Sequence, residues 1–186
     1  MINPKNTLMK KIVLSISLIY LLLSCTEIKF EQPQPKRIKN LELIPEKIQG
    51  EYLLDKKDTI KISSEQILIL KDSLGLEDEV YKLSDVFKVR YWKKTYFLNI
   101  KEKEDSVWTV IFIQKNKNQT LSMGFLSFEE KDTESIEKIK SITKLKEVMN
   151  ESESLDYYLA NPSRCELKKL MKQANFHELI SLEKIK

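Results

Sequence analysis

Histidine is almost absent: His177 is the only one in 186 residues. A Ser-His-Asp set could be built only around that residue. A zinc site there would need three further ligands from carboxylates and one Cys. The chain has two cysteines, which excludes a disulfide framework and a four-thiolate metal centre. Three glycines leave no phosphate-cradling loop. Arginine occurs three times against 29 lysines, so the forked group that reads phosphates and base edges is scarce. No apolar run reaches the roughly 20 residues of a membrane-crossing helix. Against these shortages stands an apolar content of 41%, enough for the core of one domain.

The N-terminus carries an address. Lys5, Lys10 and Lys11 precede an apolar run of 12 residues, 12–23, the layout of a secretory signal. The alternatives are an ordinary cleaved signal and a retained anchor helix. A start at Met9 gives the more typical signal. The run ends Leu22-Leu23-Ser24-Cys25, which resembles the lipobox of bacterial lipoproteins, although Leu23 is bulkier than the usual residue there. The resemblance implies cleavage before Cys25, diacylation of its thiol and acylation of the new amino terminus. The partner it implies is a membrane, held through the N-terminal lipid anchor. Each buried CH₂ of such an anchor contributes about 0.8 kcal/mol. Thr26 follows the Cys where an Asp would favour the inner membrane, so the resemblance implies the outer membrane of a Gram-negative envelope, periplasmic side or surface. Glu27 is similar to surface-export signals of one Gram-negative group.

Residues 1–24 hold three Lys and no acid, so the net charge of +4 falls by three to +1 for residues 25–186. A nearly neutral domain gives no electrostatic case for nucleic acid. Residues 25–45 hold Pro33, Pro35 and Pro45 and read as the lipidated Cys followed by an extended, flexible tether. The competing reading packs part of this stretch as an edge strand, with Ile38, Leu41 and Leu43 inward.

Residues 46–186 read as a single α+β domain. Short-period apolar patterning from Ile48 to Phe128 predicts an antiparallel sheet of about seven strands, open or barrel-like. Its most apolar strand, 107–113, has hydrophobic side chains on both faces and reads as central. A helix-strand-strand-helix C-terminal part follows. The first helix starts at Asp132 or Thr133 and ends near Lys140. Ile142 to Met149 and Leu155 to Leu159 make a strand pair around a polar turn at Asn150. Ser163-Arg164-Cys165-Glu166 is a capping box opening the second helix, whose Leu167, Leu170, Met171 and Ala174 share one face. Residues 176–185 show no definite period.

Few residues offer chemistry. His177 reads as a surface or packing residue. Cys165 lies in a helix first turn, where thiols gain acidity, but has no CxxC partner or base. The runs Glu77-Asp78-Glu79, Glu102-Lys103-Glu104-Asp105 and Glu129-Glu130 lack the pattern of a calcium loop and read as solvated turns. No cofactor or metal is expected, and paired-carboxylate hydrolysis finds no favouring pattern. Tyr91, Trp92, Tyr96, Phe97 and Trp108 form the densest aromatic group, with Tyr91, Trp92, Tyr96 and Trp108 the candidate surface. They read either as a ligand or partner surface or as sheet core. Gly50-Glu51-Tyr52, opening the first strand, resembles the G-x-W start of lipocalin-like barrels with Tyr for Trp. That resemblance implies a small apolar ligand, but the family's later Thr-Asp motif and closing Arg have no counterpart. The expectation is a lipid-anchored, non-enzymatic module that binds another envelope protein, with a lipocalin-like binder of a small apolar ligand as the alternative.

Overall fold

The computed structural model describes residues 25–186 except 55–57, 72–76, 103–105, 119, 130–131, 173–176 and 186, and not the side chains of 25, 128–129 and 177–179. The predicted signal therefore lies outside the described residues. Among those described, the chain forms twelve strands and two α-helices. The sheet is nearly closed, mostly antiparallel and barrel-like. Its strand number exceeds the expected seven. The expected helix-strand-strand-helix part is present, and it is followed by one more strand.

The strands are β1 (Cys25–Phe30), β2 (Gly50–Leu54), β3 (Asp58–Ile62), β4 (Gln66–Leu70), β5 (Glu79–Lys82), β6 (Phe87–Trp92), β7 (Thr95–Lys101), β8 (Trp108–Lys115), β9 (Leu121–Glu129), β10 (Leu145–Met149), β11 (Leu155–Ala160) and β12 (His177–Lys184). The helices are α1 (Thr133–Ile142) and α2 (Arg164–Lys172). Strands β6-β7-β8-β9 form one meander and β2-β3-β4-β5 another. β12 joins them, pairing with β9 over six positions and with β2 at Leu53 and Tyr52. The opposite seam, between β5 and β6, has no ladder among the described residues; there the Tyr81 and Phe87 ring centroids lie 5.7 Å apart.

Alternation along β7 and β8 builds two cores back to back. Tyr96, Leu98 and Ile113 point into the barrel with Tyr52, Ile60, Ile67 and Leu182. Phe97, Val110 and Phe112 point outward. This outer face would be wet if nothing covered it. Helices α1 (Ile136, Ile139) and α2 (Leu167, Leu170) cover it, with β1 (Ile28, Phe30) and β11 (Tyr158, Ala160). The expectation that 107–113 is covered on both sides is met. The helix starts follow their sequence signals. Asp132 accepts from Ser135 N–H at 3.0 Å. Ser163 N–H donates to Glu166 at 2.6 Å, while Glu166 N–H donates to the Ser163 hydroxyl at 3.3 Å.

The predicted tether is a correction. Residues 25–30 are strand β1, parallel to β11 and antiparallel to the end of β9. Thr26, Ile28 and Phe30 alternate inward, and that period outweighs the prolines beyond them. Residues 31–45 then form a strap pinned by buried polar groups. The Asn99 carboxamide accepts from Gln34 N–H at 2.5 Å and donates to Gln34 C=O at 2.9 Å. Arg90 donates to the carbonyls of Pro33 and Pro35 at 2.6 and 2.8 Å, and to Asn40 Oδ1 at 2.8 Å. Burial lowers the Arg90 pKa from its ordinary value. Farther on, Leu41 N–H donates to Val89 C=O, and Ile44 N–H to Ser64 C=O. Ile44 and Ile48 enter the barrel core. Leu41 packs against that core as the edge-strand reading had it, but Leu43 is 56% exposed.

Asn99 therefore holds both backbone groups of a fully buried strap residue. Asn99→Ala leaves them without partners and is expected to destabilise by about 2–4 kcal/mol in chemical denaturation, since each buried orphan costs about 1–3 kcal/mol.

Candidate functional site

The four aromatics proposed as one surface are divided between the two cores by the period of the strand. Tyr96 is 3% exposed in the barrel and Trp108 is 7% exposed under the helices. Both are core residues. Tyr91 is 41% exposed, stacked on Tyr96 at 4.7 Å with Lys47 Nζ 6.0 Å from its ring. Trp92, on the opposite face, is half-buried against Phe97 at 6.5 Å, with Lys93 Nζ 5.4 Å from its ring. Only Tyr91 and Trp92 reach solvent appreciably, and they do so on different faces.

Among the described residues the barrel interior is lined by apolar side chains. A cavity of about 30 Å³ remains, lined by residues such as Ile60, Ile69, Ile100, Ile111, Met123 and Tyr81. Small-ligand pockets usually measure about 300–1,000 Å³. The larger concavity is outside. A cleft of about 470 Å³ lies between the strap (Glu42, Leu43), the β3–β4 turn (Ser63 to Gln66) and the end of β5 (Lys82, Leu83). It borders the open seam. Leu43 on the strap, Val80 on β5 and Val86 in the β5–β6 connection are each more than half exposed.

The remaining candidates are dispersed. Cys25 opens β1, with its backbone beside Glu129. Cys165 is free and exposed in the first turn of α2. His177 pairs through its backbone with Leu126, and its side chain lies outside the described residues, as do Glu104, Asp105 and Glu130. Glu102 accepts from the Thr109 hydroxyl at 2.7 Å. Glu79 is a correction. It belongs to β5, not to a solvated turn, and its carboxylate accepts from the Lys71 ammonium and from Tyr81 OH at 2.6 Å. These donors hold the Glu79 carboxyl below its ordinary value. Burial, aided by the Glu79 bond, pushes Tyr81 up to about 12. No signal in the sequence joined Lys71, Glu79 and Tyr81, because residues 72–78 separate Lys71 from Glu79 and the contact depends on β4–β5 pairing.

Comparison with known proteins finds no matching family model, no matching curated protein and no matching solved structure. No helix among the described residues is long and apolar enough to cross a membrane.

The Glu79 group gives stability two pH limits. The folded Glu79 pKa is depressed, so its contribution is present above the ordinary 4.5 and is lost as pH falls through the folded value. Tyr81 is raised, so its contribution is present below 10 and is lost as pH climbs toward about 12. Glu79→Gln is expected to flatten the acid limb of a denaturation midpoint-versus-pH curve, and Tyr81→Phe the alkaline limb.

Proposed function

We propose that the protein is a non-enzymatic interaction module of the cell envelope, held to a membrane by lipid on Cys25 and binding another envelope protein through its outer surface. The observation carrying this reading is the contrast, among the described residues, between an internal cavity of about 30 Å³ and an open outer cleft of about 470 Å³. Recognition then falls to this cleft, where the exposed Leu43 shares the lining with Lys82 at the end of β5. An unpaired strand edge with apolar neighbours is a common seat for a partner segment. The lipobox-like Leu22-Leu23-Ser24-Cys25 supports the anchor, and Thr26 supports the outer membrane. Because β1 starts at Cys25, acyl chains there would leave directly from the sheet, with no spacer.

A second reading, a binder of a small apolar ligand, is favoured by the wholly apolar lining of the internal cavity and disfavoured by its size.

Two measurements test the proposal. Intact mass of protein from its native membrane is expected to equal residues 25–186 plus acyl groups, and Cys25→Ser to lose both the lipid and the membrane association. A photo-crosslinker at Leu43 is expected to capture one envelope protein, with the adduct lost when Lys82→Glu or Val80→Asp alters the seam and kept when Ile185→Asp alters a distant exposed site. No adduct at Leu43, together with a stoichiometric small apolar molecule in the purified protein, would replace this reading with the second.

A further inference from the structure

The path of paired strands ends at β10 and β5, and β6 lies off that path as a third edge. The strap guards β6: Asn40 bridges Arg90, and Leu41 N–H donates to Val89 C=O at 2.8 Å. Among the described residues β5 has no such cover. Its ladder with β4 runs without a shift from Glu79 to Lys82. One step further, Leu83 N–H donates to Glu65 C=O at 2.9 Å. Backbone groups alternate direction along an antiparallel strand, so Leu83, Tyr81 and Glu79 turn theirs to β4. Asp78, Val80 and Lys82 turn theirs to the open edge. The side chains of these three are exposed, Val80 by 53%. Tyr81 lines the internal cavity and meets Phe87 across the seam, so that ring pair lies on the barrel side. An open edge of this kind is a template for another strand.

We propose that β5 pairs edge to edge with β5 of a second copy, making a two-fold symmetric dimer. The outer face of the strand reads acid, apolar, base at alternate positions, Asp78, Val80 and Lys82. Laid antiparallel against itself about an axis at Val80, this series is its own complement. Val80 opposes Val80 of the second copy, and each Lys82 opposes Asp78 of the other. Opposite charges and apolar pairs facing each other across strands are favourable. Neither Lys82 nor Asp78 has an ion pair among the described residues; Asp78 accepts from Lys71 N–H at 3.2 Å. The outer cleft begins at Lys82, which leaves space for the end of the incoming strand. β10 lacks this property. A symmetric pairing along the whole of Leu145–Met149 sets Glu147 against Glu147, and like charges directly opposite are destabilising. The self-complementary surface meets the requirement of a two-fold interface, in which one patch serves both sides. The dimer goes beyond the capture of another envelope protein, since it needs only this chain.

The test uses the full-length protein alone, in micelles of an uncharged detergent. Sedimentation is expected to show a dimer whose share grows with protein concentration. Lys82→Asp sets carboxylates opposite each other, and Asp78→Lys sets ammonium groups opposite each other. Each is expected to weaken the dimer by about tenfold. An equimolar mixture of the two variants restores opposite charges at both places and is expected to dimerise as the parent does, which neither misfolding nor sharing of a micelle can imitate. In a Cys165→Ser background under mild oxidation, Val80→Cys is expected to give a covalent dimer, because facing bonded residues have Cα atoms about 5.5 Å apart, within disulfide reach. Met149→Cys, at an equally exposed place on β10, is expected to give none. The proposal is overturned by a chain that stays monomeric at about 1 mM, by Lys82→Asp dimerising as the parent does, by a mixture that fails to recover, or by equal disulfide yields at positions 80 and 149. A monomer still crosslinked through Leu43 to a different envelope protein gives the seam to that partner and leaves the envelope-protein reading standing. A dimer with nothing captured at Leu43 supports the pairing of β5 and removes that reading instead.

Discussion

Strands β7 and β8 are a wall shared by two cores, and the rest of the molecule is arranged around that fact. With Ile113 and Leu98 facing inward and Phe97, Val110 and Phe112 facing outward, neither face tolerates water. Burying each such side chain contributes about 1.5–3 kcal/mol. The inward face is satisfied by curling the sheet into a barrel. The outward face requires a second layer, and α1, α2, β1 and β11 supply it. The C-terminal part is thus the outer half of the core that β8 begins.

The strap depends on that wall as well. Asn99 sits on β7 among outward-facing residues, yet it is fully buried because residues 33–36 lie across it. A carboxamide there is an exception in an apolar layer, and its bonds to Gln34 satisfy it. Arg90 does the same one strand away by collecting carbonyls from a proline-rich segment that cannot join a regular ladder. Three prolines look like a spacer when the sequence is read alone. Two polar side chains, far away in the chain, turn them into a fixed crossing.

The parts legible in the sequence were those whose signals are local. The two-faced apolar pattern of β8, the hairpin loop at Asn116, the Asn150 turn and the Ser163–Glu166 box all stand where their residues indicated. The three unforeseen strands lack such signals. β1 pairs with β11, about 130 residues away, and β12 with β9 across both helices. β5 has four residues and includes a glutamate whose charge is matched by Lys71 only after the strands pair. The aromatic group was legible as a concentration of rings, but alternation sent Tyr96 and Trp108 to opposite cores.

β12 also sets an order of events. It is the strand through which the two meanders are hydrogen-bonded into one barrel. A chain emerging N-terminus first presents β2–β5 and β6–β9 as two separate ribbons, each with an unpaired edge, until residues 177–184 follow. During that interval the edges of β2 and β9 are open to pairing with other chains. The strand that joins the two meanders thus follows both of them in the chain, and until it pairs their edges stay exposed to neighbouring chains.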